Sequence, residues 1–432
     1  MISLDWLRNG IFASRLNRNI GYTLGRQLFA AGAQLLLVVL IARSLGPEGN
    51  GRYAMAILLP SIMANVLNLG IGPATVYYVG RRALMPQQAV KGNILLGMII
   101  GAIGLGLGLS LIFTLHDVLF PGVPKTLLLL GLLAFPVALV LALLNSVHQG
   151  IENFRAFNWS TLAPPYVTLA VTGAFLYGLN SGVEGVIIAY FTGQIAGLLI
   201  STLFVRGNWI NIGESDEMAE QHRLASVSYY RKILGYGWKA HLSNILAFVN
   251  YRADIFLVNL FISPAATGVY VIAVQISERL WMLSQSVSSV LLPRLSAMYR
   301  NPEARLTLTQ RSFWVTVILT GLVAILAAFG LYWLLVPVFG KEYIGTMEAF
   351  LWLLPGIVAG AGSRVQANCI AAAGKPEWNS YASLIVATAN IIMNIILIPL
   401  LGVVGAAMAT SSAYILNACI KGFLVKRTLS YG

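Results

Sequence analysis

Charge is scarce in this chain: Asp, Glu, Lys and Arg make up only 10% of its 432 residues, whereas 58% are hydrophobic. Apolar runs of about twenty residues, the length that crosses a bilayer's hydrocarbon, recur from end to end and exclude an ordinary soluble core. Cysteine is almost absent. Cys369 and Cys419 both sit in apolar segments with no Cys/His set of metal-ligand spacing nearby, which excludes a disulfide framework and a zinc site. The opening MISLDWLRNGIFASRLNRN has no continuous apolar core before a small-residue cleavage site, so no cleavable signal is expected. Its Ile2, Trp6, Leu7, Ile11, Phe12 and Leu16 could instead form a short interfacial helix.

Acid is rarer than base, 15 against 28, for a net charge of +13. In a soluble domain that excess would suggest nucleic acid; here its distribution around the spans decides. Apolar runs place spans near 21–43, 52–80, 91–115, 125–148, 159–179 and 183–205, then 236–262, 265–292, 311–338, 344–373, 377–400 and 402–425. Outside them, nineteen basic residues fall on one side, including Arg81, Arg82, Lys91, Arg294, Lys421 and Arg427, and only Arg43, Arg52, Lys125 and Lys341 on the other. Both termini are therefore expected to be cytoplasmic. Orientation accounts for most of the basic excess, and no nucleic-acid partner is expected. No outward loop is long enough for a folded domain.

The two halves echo one another. Pro47, Gly51, Tyr53 and Ala56 at the first hairpin match Pro264, Gly268, Tyr270 and Ala273 at a constant shift. Gly182, Gly185 and Ala189 match Gly402, Gly405 and Ala409, and Gly150 through Phe154 echoes Gly374 through Trp378. Three matches in one order point to duplicated six-helix units, and an even number of spans per unit makes the repeats parallel. The expected organisation is a bundle over 1–205, a cytoplasmic linker over 206–235 and a second bundle over 236–432.

Several motifs reduce to packing. Gly97/Gly101 and Gly104/Gly108, in GMIIGAIGLGLGLS, look like a phosphate loop but lie inside an apolar span, where such spacing serves close helix approach. His116, His148 and His222 are isolated. Pro60 and Pro73 bracket Asn65 and Asn68 in the second span, a place for a kink or hinge.

The charges within or close to spans are harder to dismiss. Arg26, Lys239, Arg252, Arg279 and Arg364 face only Asp254 and Glu278 at comparable depth, and a charge at a helix centre costs about 2.5–3.5 kcal/mol on insertion scales. Lys239 is close enough to the entry to snorkel. Arg252 lies about 20 Å into its span, near the middle. At 100° per residue, His241 shares a face with Arg252, while Asp254 points nearly opposite. Cross-helix staples such as Arg252 with Glu278, or Asp254 with Arg279, are one reading. Two acids cannot neutralise the whole basic set, so the preferred reading is a cavity that receives an anion.

The doubled six-helix chain, the RSLGPEGNGRYAMA hairpin with its LGIGPATVYYVGRR continuation, and the cationic spans resemble the polysaccharide-transport flippases. These are the O-antigen and exopolysaccharide (Wzx-type) members of the multidrug/oligosaccharidyl-lipid/polysaccharide exporter superfamily. The resemblance implies an all-α polytopic membrane protein of about twelve transmembrane helices in two parallel six-helix repeats, forming a V-shaped transporter and not an enzyme. It implies alternating access that carries an undecaprenyl-diphosphate-linked oligosaccharide across the bacterial inner membrane, in the company of glycosyltransferases and a polysaccharide polymerase. Arg26 and Arg252 match the basic cavity expected for the diphosphate, with Arg279, Arg364 and His241 as further candidates. No cofactor is expected, and Asp254 or Glu278 could couple transport to a proton or sodium gradient. The competing readings are a multidrug/cation antiporter of the same superfamily, disfavoured by the basic excess, and a membrane-embedded polymerase or ligase, disfavoured by the short outer loops.

Overall fold

The computed structural model describes residues 15–209, 216–298 and 301–430. Backbone groups in hydrocarbon must be satisfied within the segment itself, and the described residues are accordingly almost all helical. In order the helices are α1 (Arg15–Leu67), α2 (Ile71–Gly80), α3 (Pro86–Leu119), α4 (Lys125–Leu132), α5 (Ala134–Gly150), α6 (Phe154–Gly173) and α7 (Gly182–Trp209). They continue as α8 (Asp216–Phe261), α9 (Pro264–Arg279), α10 (Trp281–Ala297), α11 (Pro302–Phe339), α12 (Gly345–Ala372) and α13 (Glu377–Ser430).

Seven stretches among the described residues are long and apolar enough to cross a membrane; Glu377–Arg427 contains two expected spans, and Phe29–Leu67 covers most of the expected span 21–43 and the first part of 52–80. They are folded back at Gly46 and Gly402, both at φ 64°, a backbone conformation that costs glycine nothing. The expected spans 159–179, 236–262 and 265–292 are helical too but too polar to read as membrane-crossing from composition. Two of those three carry Arg252, Asp254, Glu278 and Arg279. The expected linker is not a loop throughout: α8 starts at Asp216 and runs without a break through the seventh span. The expected second span is broken instead, by a turn through Leu69 and Gly70.

The chain forms two compact units: 1–41, 56–115 and 124–242 make one, and 42–55, 116–123 and 243–432 the other. In the first, the α3 glycines are contact points, as their spacing predicts: Gly97 faces Val140, Gly101 faces Pro136, Gly104 faces Phe135 and Gly108 faces Leu132. Three buried polar pairs there cross between helices. Asn93 donates to the Leu143 carbonyl at 2.9 Å, Ser160 donates to Asn145 at 2.6 Å, and His148 Nε2 lies 3.1 Å from Ser201 Oγ. Within this membrane bundle such bonds act as staples of modest strength.

In the second unit, α9 is started by Ser263, whose hydroxyl accepts from the Ala266 amide at 3.2 Å with Pro264 at the first helical turn. The repeat becomes a physical contact here. A Cβ on Gly51 would overlap the carbonyl of Pro264, and one on Gly268 would overlap the carbonyl of Pro47. Residues equivalent by repeat thus meet reciprocally, and Asn50 locks the contact by donating to the Gly268 carbonyl at 3.0 Å. The third echo is displaced by two residues. The amide of Asn153 bonds the His148 carbonyl and that of Lys375 bonds the Ile370 carbonyl, which pairs Glu152 (φ 58°) with Gly374 (φ 75°) as helix-ending left-handed residues.

Candidate functional site

The polar residues of α8 divide between the two units, and each is positioned by a different neighbour. His241 belongs to the first unit. It is buried, and its Nε2 donates to the Val66 carbonyl at 2.8 Å, where the bond satisfies the carbonyl near the end of α1. Earlier along α8, Tyr229 and Tyr236 also dock the helix on this unit. The ring of Tyr229 covers Gly92, and its hydroxyl donates to Asn93 Oδ1 at 2.5 Å. Burial, followed by the neighbouring Tyr230, pushes the Tyr229 phenol well above its ordinary range. Tyr236 stacks on Tyr77 at 4.5 Å.

Beyond Leu242, α8 belongs to the second unit. There the Arg252 guanidinium grips Glu278 of α9 as a fork, Nη1 to Oε1 at 2.9 Å and Nη2 to Oε2 at 3.2 Å, and Nη1 also donates to the Tyr251 carbonyl at 3.0 Å. Both partners are half-buried. Two parallel charge-assisted bonds fix direction as well as energy, so this pair is held in register.

Asp254, two positions along the helix, points away from Arg252 and is fully buried. Its Oδ2 accepts from Tyr270 of α9 at 2.6 Å and from Thr410 of α13 at 2.9 Å, while Oδ1 accepts from the Ile255 amide at 2.8 Å. Three donors converge on one carboxylate and tie α8, α9 and α13 together. Of the two staples read from the sequence, Arg252 with Glu278 is present; Asp254 is met by hydroxyls. Arg279 is half-buried directly after Glu278.

An aromatic cluster surrounds this region. Tyr251, Trp281 and Tyr414 lie within 5.1–6.1 Å of one another, and Trp281 Nε1 donates to the Ile357 carbonyl at 3.0 Å. The Arg364 guanidinium stands 4.5 Å over the Trp281 ring. A cation held by an aromatic face keeps its charge unneutralised and its N–H edge free to donate. Of the expected cavity residues, Arg252, Arg279 and Arg364 fall in this unit, His241 in the other, and the side chain of Arg26 lies outside the described residues. Sequence reading missed Tyr270, Trp281, Thr410 and Tyr414, which look like ordinary apolar-helix residues; only Tyr270 carried a signal, as the repeat partner of Tyr53.

The chain is 22% identical over 401 residues, 91% of this chain and 80% of the relative, to a protein of Haloferax volcanii described as a probable low-salt glycan biosynthesis flippase, Agl15. Its fold is that of the lipid II flippase MurJ in an inward closed conformation, with a TM-score of 0.74 at 17% identity over 95% of this chain and 89% of that one. An inward-facing multidrug resistance MATE family transporter of the MOP superfamily also gives 0.74, at 14% identity over 92% and 94%. A family model described as "Polysaccharide biosynthesis protein" matches residues 16–299, more than half of the chain, and the chain therefore belongs to the polysaccharide biosynthesis protein family.

Proposed function

We propose that this membrane transporter of the flippase type moves an undecaprenyl-diphosphate-linked oligosaccharide, a repeat unit of O-antigen, capsule or exopolysaccharide, across the plasma membrane by alternating access. Both termini are cytoplasmic in this reading, and the substrate comes from glycosyltransferases and passes to a polymerase. The observation that carries it is the cation set of the second unit. Arg364 has an aromatic ring and no carboxylate as its partner among the described residues, and Arg252 is held in the forked geometry that also suits two phosphate oxygens.

Glu278 then occupies the seat of the cargo. Loading exchanges the carboxylate for phosphate on Arg252, and release restores the ion pair, so affinity falls when the site reorients. Protonation of Glu278, or a proton or sodium ion at Asp254, supplies the bias. Arg279 remains a candidate in the same unit, and Arg26 and His241 remain candidates from the sequence alone. A cation-drug antiporter would need an acid open to its cargo, whereas Asp254 is enclosed by three donors.

The test is flipping of a labelled lipid-linked oligosaccharide in proteoliposomes. Arg252→Ala lowers the rate about 10- to 100-fold, the cost of losing bonds to a charged group, and Arg252→Lys restores part of it. The double variant Arg252→Ala/Glu278→Gln removes the unpaired acid and stays slow. Wild-type flipping by the double variant would reduce the pair to a staple.

A further inference from the structure

Lys421, near the end of α13, is only 8% exposed and has no hydrogen-bond or ion-pair partner among the described residues. Across the α12–α13 seam stands another cation, Arg364, between Ser363 and Gln366, which meet Asn417 and Gly422 on either side of Lys421; the only partner of Arg364 among those residues is the Trp281 ring. Two cations with no acid between them repel, and burial strengthens the repulsion. A lysine near the end of a span usually extends its ammonium to water, whereas this one is folded in.

The surrounding surface is polar. Asn417, one turn before Lys421, lies 3.5 Å from Ser363 Oγ, next to Arg364. Gln366 packs against Gly422. These neighbours are neutral amides and hydroxyls, and no carboxylate among the described residues balances the two cations in this part of the α12–α13 seam. Buried polar groups and charges are normally paired.

The geometry points to a phosphate-binding site formed by Arg364 and Lys421, in the last third of α12 and α13, that completes its charge balance with a ligand. A phosphate dianion or diphosphate matches two cations of which one is a planar fork and the other a compact ammonium. Two sources share that chemistry: the diphosphate of a lipid-linked oligosaccharide and the headgroup phosphate of a membrane lipid. Naming the first as the source rests on the function proposed above; the site itself does not.

Thermal melting of the purified full-length protein in detergent, titrated with inorganic pyrophosphate, tests it. Pyrophosphate raises the wild-type melting temperature, as a ligand of the folded state must. Lys421→Met melts above the wild type without ligand, because the repulsion is gone, and no longer responds to pyrophosphate; Lys421→Arg responds. An equal shift in wild type and Lys421→Met, or no shift in wild type, overturns the site. In nanodiscs, undecaprenyl diphosphate is retained through Lys421 and displaced by pyrophosphate, while phosphatidylglycerol is retained equally by wild type and Lys421→Met. Lys421-dependent retention of phosphatidylglycerol would keep the phosphate site and assign it to a lipid headgroup. Absent flipping with a Lys421-dependent pyrophosphate shift would sink the transport reading and leave the site standing.

Discussion

At the scale of single residues, Asp254 and Arg252 are two charges on one helix in different surroundings. Arg252 is half-buried and shares its fork with one acid, an arrangement that can open. Asp254 is enclosed by Tyr270, Thr410 and its own backbone, an arrangement that resists opening. Tyr270→Phe removes one of its donors and lowers stability by about 1–3 kcal/mol, the cost of leaving a buried acceptor short, read as a lower melting temperature. Asp254→Asn keeps the shape and removes the charge. Its flipping rate is expected to lose its dependence on a proton or sodium gradient, and an unchanged dependence would move the coupling role to Glu278.

At the scale of elements, the reciprocal contact of the 47–51 and 264–268 hairpins is the clearest consequence of the repeat. Carbonyls occupy the places where side chains would stand on Gly51 and Gly268, so any Cβ must push backbone, which cannot yield as a flexible side chain can. Gly51→Ala and Gly268→Ala are each expected to lower the melting temperature and the folded yield. Gly321→Ala meets nothing within 4 Å in the middle of α11 and gains about 0.5–1 kcal/mol. Equal melting of all three variants would remove the contact from the account. The Pro-Gly-Tyr-Ala motif made this hairpin visible in the sequence, because close approach demands glycine at fixed spacing. The third echo was legible only in outline. Its register is set by left-handed helix ends at Glu152 and Gly374, and a glutamate there gives no signal.

At the scale of the whole molecule, the helical membrane fold was readable because hydrocarbon leaves the backbone few choices, and the doubled pattern of six helices followed from glycines at bends. An amphipathic approach to the seventh span was legible in 206–235; that approach and span form one continuous helix, docked through Tyr229 and Tyr236, was not, because polarity alone does not fix where a helix begins. The basic residues of the site were legible as charges out of place. Their partners were not, since Trp281, Tyr414 and Thr410 become informative only once packed. Lys421 was read from the sequence as an orienting charge near a helix end; that its side chain is buried was not legible there.

The proposed cargo is an anionic lipid-linked glycan. The most direct measurement is transport by the reconstituted wild-type protein, with fluorescent undecaprenyl-diphosphate oligosaccharide scored by an external quencher and a cationic dye offered to parallel liposomes. The lipid-linked oligosaccharide is expected to become accessible on the far leaflet, with no gradient-driven movement of the dye. Dye transport with the labelled lipid left in its original leaflet would contradict the account.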